Sequence, residues 1–368
     1  MPEKCSQRQR YYKAIVLLCL GMVNCVLVKG QTMTFPNAAG LQFQRGFIFQ
    51  HKVDMDQVVT GHISGWELFY QRQHTGEKPW EYFYNFPQTG VAVQYLDFDN
   101  NILGKAFAVN PYISFPLKRT QHFEWHFRLA SGLGVFTKVF DLQTNRKNSI
   151  IGSRITGSVQ FMMQAKWKFS SWAELTGGLS FGHFSNGAWK VPNAGINYPG
   201  LNIGLTIHAG QPLAMKLQSF AVVPKGWSFL VWTGWFGKET DPVLSGKYLA
   251  GTLSLNVLKR HSGKGSFGAA IDLMADGTLK KRRDDDMPET PMRIGVAGLY
   301  EFHFGKLSLP VQLGAYVYDP FRFDFPVYQR IGWRYKIHPS WLLNMTLKAH
   351  LNKADYLELG VGYVFGKR

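Results

Sequence analysis

Two side chains capable of acyl-transfer chemistry, His183 and Ser185, lie two residues apart in the middle of the chain. A serine hydroxyl attacks an ester carbonyl when a nearby imidazole takes its proton, and a third polar group holds the imidazole in the correct tautomer. Asn197, twelve residues after the serine, is the candidate for this third group. An amide can fix the tautomer, whereas a carboxylate also stabilises the imidazolium formed during catalysis.

The segment carrying both residues alternates like a β-strand. From Trp172 to Asn186 the odd positions are mostly apolar and the even positions mostly polar or small. Since successive side chains of a strand point to opposite faces, His183 and Ser185 share the apolar face, with Cβ atoms about 6–7 Å apart. This spacing is within reach of a Ser–His hydrogen bond and predicts a polar site on an otherwise apolar wall.

The following segment supplies the neighbouring strand. Its odd positions from Leu201 to Ala209 are apolar, and Asn197 has the same parity. Antiparallel pairing of the two strands would place Asn197 beside His183. Glu174 has the opposite parity and is expected in the interior as a structural residue. The loop residues Pro192, Asn193 and Gly195 are interpreted as turn residues that set loop geometry.

The same alternation recurs through most of the chain, for example over residues 249–257, 306–318, 341–352 and 357–365. These segments run roughly 9 to 13 residues, longer than the usual strands of soluble proteins and suited to crossing a membrane. We count about 14 of them, with 12 to 16 defensible, which predicts an all-β, transmembrane, antiparallel up-and-down β-barrel. One barrel domain is expected over residues 31–368.

The N-terminus resembles a secretory signal peptide over residues 1–30. A basic start is followed by an apolar stretch from Ala14 to Val28, which is short for a transmembrane helix, although a retained anchor is the alternative. The three cysteines, Cys5, Cys19 and Cys25, all lie in this leader, so the mature chain is expected to contain neither disulfides nor thiolate sites. Export and a barrel together predict the bacterial outer membrane.

The chain is basic, with a formal net charge of +17. A basic surface suits an anionic partner. For an exported barrel the expected partners are lipopolysaccharide, through lipid A, or phospholipid in the outer leaflet, and not nucleic acid. We find no metal-ligand spacing among the histidines, and a possible homodimer is left open.

Two family resemblances involve the candidate residues. The run His183-Phe184-Ser185-Asn186, with Pro192-Asn193-Ala194-Gly195 in the loop, resembles the PagL-type lipid A 3-O-deacylases of the acyloxyacyl hydrolase family. That family has a glutamate twelve residues after the serine, where this sequence has Asn197. A secondary resemblance is to outer-membrane phospholipase A, whose His-x-Ser-Asn-Gly motif and later asparagine match His183 to Gly187 and Asn197.

Both resemblances imply the same roles. Ser185 would be the nucleophile, His183 the base and Asn197 the residue that orients His183. The backbone N–H groups of Asn186 and Gly187 would form the oxyanion hole. The deacylase resemblance implies no cofactor or metal, whereas the phospholipase resemblance implies calcium and a dimer.

The sequence therefore predicts an outer-membrane serine esterase that removes an ester-linked acyl chain from lipid A. An outer-membrane phospholipase A remains the enzymatic alternative. A channel or structural barrel without catalytic activity is the third interpretation. Which ester bond is cut is not determined by these residues.

Overall fold

The computed structural model describes residues 33–366, except 52–54, 56–57, 60, 217–224, 241–242, 244–245, 283–286 and 352. The predicted signal peptide and its cysteines lie outside the described residues. Among the described residues, the helices are too short and too polar to cross a membrane.

Strands account for most of the described chain. In chain order they are β1 (Met33–Thr34), β2 (Asn37–Phe47), β3 (His62–Gln73), β4 (Gln88–Asp97), β5 (Lys105–Arg119), β6 (Phe123–Phe136), β7 (Ile155–Lys168), β8 (Ala173–Ser185), β9 (Ile196–Ala209), β10 (Leu213–Ala214), β11 (Gly226–Lys238), β12 (Tyr248–Arg260), β13 (Gly265–Asp276), β14 (Met292–Phe304), β15 (Leu307–Tyr318), β16 (Val327–Lys336), β17 (Trp341–His350) and β18 (Lys353–Phe365). Two short helices, α1 (Pro79–Phe83) and α2 (Thr278–Arg282), lie in loops.

The long strands close into two barrels of eight. Strands β2–β9 form barrel one and strands β11–β18 form barrel two, with every neighbouring pair antiparallel. The closing pairs are β2 with β9, where Phe43 faces Ile203, and β11 with β18, where Thr233 faces Val361. The antiparallel barrel class predicted from the sequence is confirmed.

The number of barrels differs from the prediction. The sixteen barrel strands fall at the upper end of the expected range, but they close as two narrow barrels and not as one wide barrel over residues 31–368. The physical reason is that alternation specifies which face of each strand is apolar and leaves open which strands close the ring. Eight strands enclose a lumen just wide enough for side chains to fill.

Each lumen is filled by paired polar side chains. In barrel one, Arg128 contacts Glu67 at 2.7 Å. In barrel two, the buried Arg330 contacts Glu358 at 2.6 Å and Asp272 at 3.0 Å. Buried charges are tolerated when they are paired and hydrogen-bonded in this way. These packed interiors weigh against a passive channel.

The outer walls are apolar, as the alternation predicts. On β9, Leu201 is 63% exposed and Ile203 57% exposed, while the intervening Asn202 is buried. Such a wall would be costly in water but is favourable against lipid. The face carrying His183 and Ser185 is therefore the lipid-facing one.

The two barrels contact each other through the end of barrel one where β3 meets β4. The Tyr84 hydroxyl donates to the carbonyl of Lys264 at 2.7 Å. The Tyr84 and Phe304 ring centroids are 4.8 Å apart. A second contact, at the opposite end, involves the loop after Ser185 and is described below.

Candidate active site

His183 and Ser185 lie at the C-terminal end of β8, and both side chains project from the outer wall of barrel one. The residue between them, Phe184, points inward and is fully buried. Its ring centroid lies 5.2 Å from that of Phe136 and 5.4 Å from that of Tyr198. This aromatic cluster packs against the end of β8 from inside barrel one. Because Phe184 points inward, its neighbours His183 and Ser185 have the outward parity that was predicted.

The register between β8 and β9 places His183 directly opposite Asn197. The imidazole Nδ1 and the amide Oδ1 are 2.6 Å apart. Since an amide oxygen can only accept, Nδ1 carries the proton, and Nε2 keeps a lone pair. This is the tautomer that a general base requires. The juxtaposition expected from strand parity is therefore present.

The His183 imidazole packs closely against Gly195. This glycine has a φ of +77°, a conformation that favours glycine, and a Cβ at this position would lie 3.1 Å from Cε1 of His183. The ring therefore rests against the Gly195 backbone. Gly195, which sequence reasoning assigned to the turn, also sets the space available to the His183 imidazole.

His51, from the loop between β2 and β3, extends the network beyond Asn197. Its Nε2 lies 3.1 Å from the carbonyl of Ala194, and its Nδ1 lies 3.2 Å from the Asn197 amide nitrogen and 3.3 Å from the Phe49 carbonyl. The shorter carbonyl contact favours the proton on Nε2 in the neutral ring, so Nδ1 accepts from the amide. This fixes the amide with its oxygen toward His183.

Sequence reasoning missed His51. It lies far from the motif along the chain, and no spacing or parity argument connects the β2–β3 loop to β9. The pairing of β2 with β9 at barrel closure brings the loop to Asn197.

The hydroxyl of Ser185 is held by the loop that follows it. It accepts from the Asn193 side-chain amide at 3.1 Å and from the backbone N–H of Gly187 at 3.3 Å. The backbone N–H of Asn186 donates instead to Asn193 Oδ1 at 3.1 Å. Of the two expected oxyanion donors, Gly187 thus faces the serine oxygen and Asn186 is engaged by Asn193.

Asn193 is therefore more than the turn residue predicted from its type. Its position in the Pro-Asn-x-Gly element was the signal that could have identified it, since that element formed part of the family resemblance. Its side-chain amide is a second N–H donor beside the Ser185 hydroxyl.

Within the described residues, the hydrogen bonds of Ser185 go to Asn193 and Gly187, and not to His183. The two side chains share a face without the direct hydrogen bond that their spacing allowed. Catalytic hydrogen bonds are often long in the free enzyme and tighten when substrate binds.

Other titratable residues named from the sequence lie elsewhere. Glu174 is inside barrel one, where it contacts Lys166 at 3.6 Å and His208 at 3.2 Å. The part of the chain that the structure describes contains no group of three or more His, Cys, Asp or Glu side chains arranged to hold a metal.

Comparison with known structures gives low similarity scores. Neisserial surface protein A has 9% identity and a TM-score of 0.31, covering 47% of this chain and 97% of its own. The Pseudomonas putida toluene transporter TodX has 9% identity and a TM-score of 0.17, covering 89% and 88%. A mutant porin of Rh. blastica has 6% identity and a TM-score of 0.18, covering 91% and 100%. Comparison with curated proteins gave no match.

Two family models match the chain, one on each barrel. The model described as lipid A 3-O-deacylase (PagL) matches residues 64–206, which include the whole candidate site apart from His51. The model described as acyloxyacyl hydrolase, C-terminal domain (PagL_C), matches residues 226–367, which contain barrel two. Together they span most of the chain and confirm the first of the two resemblances. The chain is an outer-membrane β-barrel protein and belongs to the lipid A 3-O-deacylase (PagL) family.

Proposed function

We propose that this protein is a serine esterase that removes an ester-linked acyl chain from lipid A in the outer leaflet. The observation that carries the proposal is the His183–Asn197 pair, which leaves Nε2 free to act as a base on the wall that bears Ser185. Family membership supports the substrate class. The apolar wall around the site supports attack on an acyl ester held in the membrane.

In the proposed reaction, substrate displaces the contact between Asn193 and the serine hydroxyl, and Ser185 turns toward His183. The imidazole takes the hydroxyl proton as Oγ attacks the ester carbonyl. The tetrahedral intermediate collapses to an acyl-enzyme, and His183 returns the proton to the departing alcohol of lipid A. Water, deprotonated by His183, then cleaves the acyl-enzyme and releases the fatty acid.

The negative oxygen of the intermediate needs donors close to Ser185. We assign this role to the Gly187 N–H and the Asn193 amide, which both contact Oγ in the free protein. The Asn186 N–H joins them once Asn193 moves. Loss of one such donor typically lowers the rate about 10²–10³-fold. No cofactor or metal takes part in these steps.

The decisive experiment is mass spectrometry of lipid A from cells with and without the protein. We expect the lipid A of expressing cells to lose the mass of one ester-linked acyl chain, with activity of the purified protein retained in EDTA. A rise in lysophospholipid with unchanged lipid A, abolished by EDTA, would identify a calcium-dependent phospholipase. No change in either lipid would identify a structural barrel.

Replacement of Asn197 tests the third member of the site. Asn197→Leu has similar size but cannot accept from His183 Nδ1, so the imidazole loses its preferred tautomer. We expect kcat to fall about 10²–10⁴-fold. Asn197→Glu keeps an acceptor and adds the charge that stabilises imidazolium, so it should match or exceed the wild type. Equal fatty acid release by the leucine and glutamate variants would remove Asn197 from the mechanism.

A further inference from the structure

The loop that follows Ser185, at the end of barrel one, is in contact with barrel two. Residues 187–191 lie against barrel two, near the end of β11 and the start of β18. A Cβ at Gly187 would lie 2.7 Å from Cγ of Leu357, and Gly187 has a φ of +63°. Only glycine suits this close approach between the two barrels.

Glu239, directly after β11, binds the loop at two points. Its backbone N–H donates to the carbonyl of Ala188 at 2.9 Å. Its carboxylate accepts from the backbone N–H of Val191 at 3.0 Å. The side chain is 5% exposed, so this hydrogen bond is shielded from water. A buried carboxylate that accepts a backbone N–H makes a strong, directional contact.

Trp189 extends the contact from the loop side. Its ring centroid lies 5.0 Å from that of Phe236, and the Lys247 ammonium lies 4.2 Å above the ring. Lys247 also donates to the Trp189 carbonyl and lies 3.8 Å from Glu239. Barrel two therefore holds both the backbone and the aromatic side chain of this loop.

Residues 187–191, which contact barrel two, include one of the two groups that donate to Ser185 Oγ and lie just before the other. Gly187, at the start of this segment, donates to Ser185 Oγ, and Asn193 follows Val191 by two residues. A shift of the segment would move both donors relative to the nucleophile. A misplacement of about 1 Å can cost about 10²-fold in rate.

We propose that barrel two is a working part of the active site and that Glu239 is a positioning residue for the oxyanion donors. The proposal rests on the proposed esterase function. It assigns to the C-terminal barrel a role in the chemistry of a site whose reacting side chains all belong to barrel one.

The test compares Glu239→Ala with Glu239→Gln in the full-length protein. Alanine removes the acceptor for Val191, and we expect kcat to fall about 10- to 100-fold with KM little changed. Glutamine retains an oxygen acceptor and should recover most of the loss. Glu289→Ala, in an exposed loop at the same end of barrel two, is the matched control and should behave as the wild type.

Folding is monitored by the heat-dependent gel migration of barrel proteins. If Glu239→Ala does not fold, Trp189→Leu decides the question, because this side chain is 40% exposed and its change weakens the same contact from barrel one. A wild-type kcat in folded Glu239→Ala, or in Trp189→Leu where Glu239→Ala does not fold, would overturn the positioning role of Glu239. A kcat of Glu239→Gln as low as that of Glu239→Ala would also overturn it. Activity that survives Ser185→Ala would instead refute the esterase function itself, so the two failures are distinguishable.

Discussion

Ser185→Ala is expected to abolish lipid A deacylation, with a fall in kcat of at least about 10⁴-fold. The substitution removes the oxygen that forms the acyl-enzyme, so the covalent route is lost, whereas the loop donors stay in place. The measurement is fatty acid release from lipid A by the purified variant, followed by mass spectrometry. Binding of lipid A should persist, because the apolar wall and the barrel contacts are unchanged.

Ser180→Ala is the matched control for the nucleophile. Ser180 lies on the same strand but faces the lumen, where it accepts from Gln44 at 2.6 Å. Its loss should leave kcat near the wild-type value. If both serine variants retained activity, Ser185 would not be the nucleophile; if both lost it, the effect would reflect the barrel and not the chemistry.

His183→Gln should produce the second large effect, a decrease in kcat of about 10²–10⁴-fold. Glutamine preserves polarity and approximate size but cannot take a proton from Ser185 or return it to the leaving alcohol. Because the two residues act as a unit, the double variant Ser185→Ala with His183→Gln should be no slower than Ser185→Ala alone. The measurement is again fatty acid release, with both single variants in parallel.

His208→Gln provides the comparison for the histidine. This residue lies on β9 and contacts Glu174 at 3.2 Å inside barrel one. Near-normal deacylation is expected from this variant once its folding has been verified. An additive loss in the double variant at positions 183 and 185 would mean that the two side chains contribute separately, contrary to a shared proton transfer.

The outward placement of the candidate residues could be predicted because strand parity is a local property. Reading Trp172 to Asn186 by alternation put His183 and Ser185 on the lipid face, and the structure has Phe184 buried between them. Counting back along the next strand put Asn197 beside His183, as the register shows. Pairing of neighbouring antiparallel strands with both apolar faces outward permits only registers of one parity, and the pairing of Asn197 with His183 is one of these.

Closure of the barrels could not be predicted in this way. The partner of β9 is β2, more than a hundred residues earlier, and no periodicity distinguishes this pairing from continuation into β11. The same long-range closure brings His51 to Asn197. Glu239 was missed for a related reason, since its role depends on how the loop after Ser185 packs against a separate barrel. Asn193 was interpreted as a turn residue, because its residue type does not show that the side chain folds back onto Ser185.

The packed interiors of the two barrels determine how a substrate could arrive. Each lumen is occupied by ion-paired side chains such as Arg128–Glu67 and Arg330–Asp272, so under the proposed function lipid A would approach Ser185 laterally, from within the leaflet. Encounter is then a search in two dimensions, and its frequency depends on the fraction of the surrounding lipid that is substrate. On this route, a water-soluble ester would first have to partition into the membrane to reach Ser185 as lipid A does.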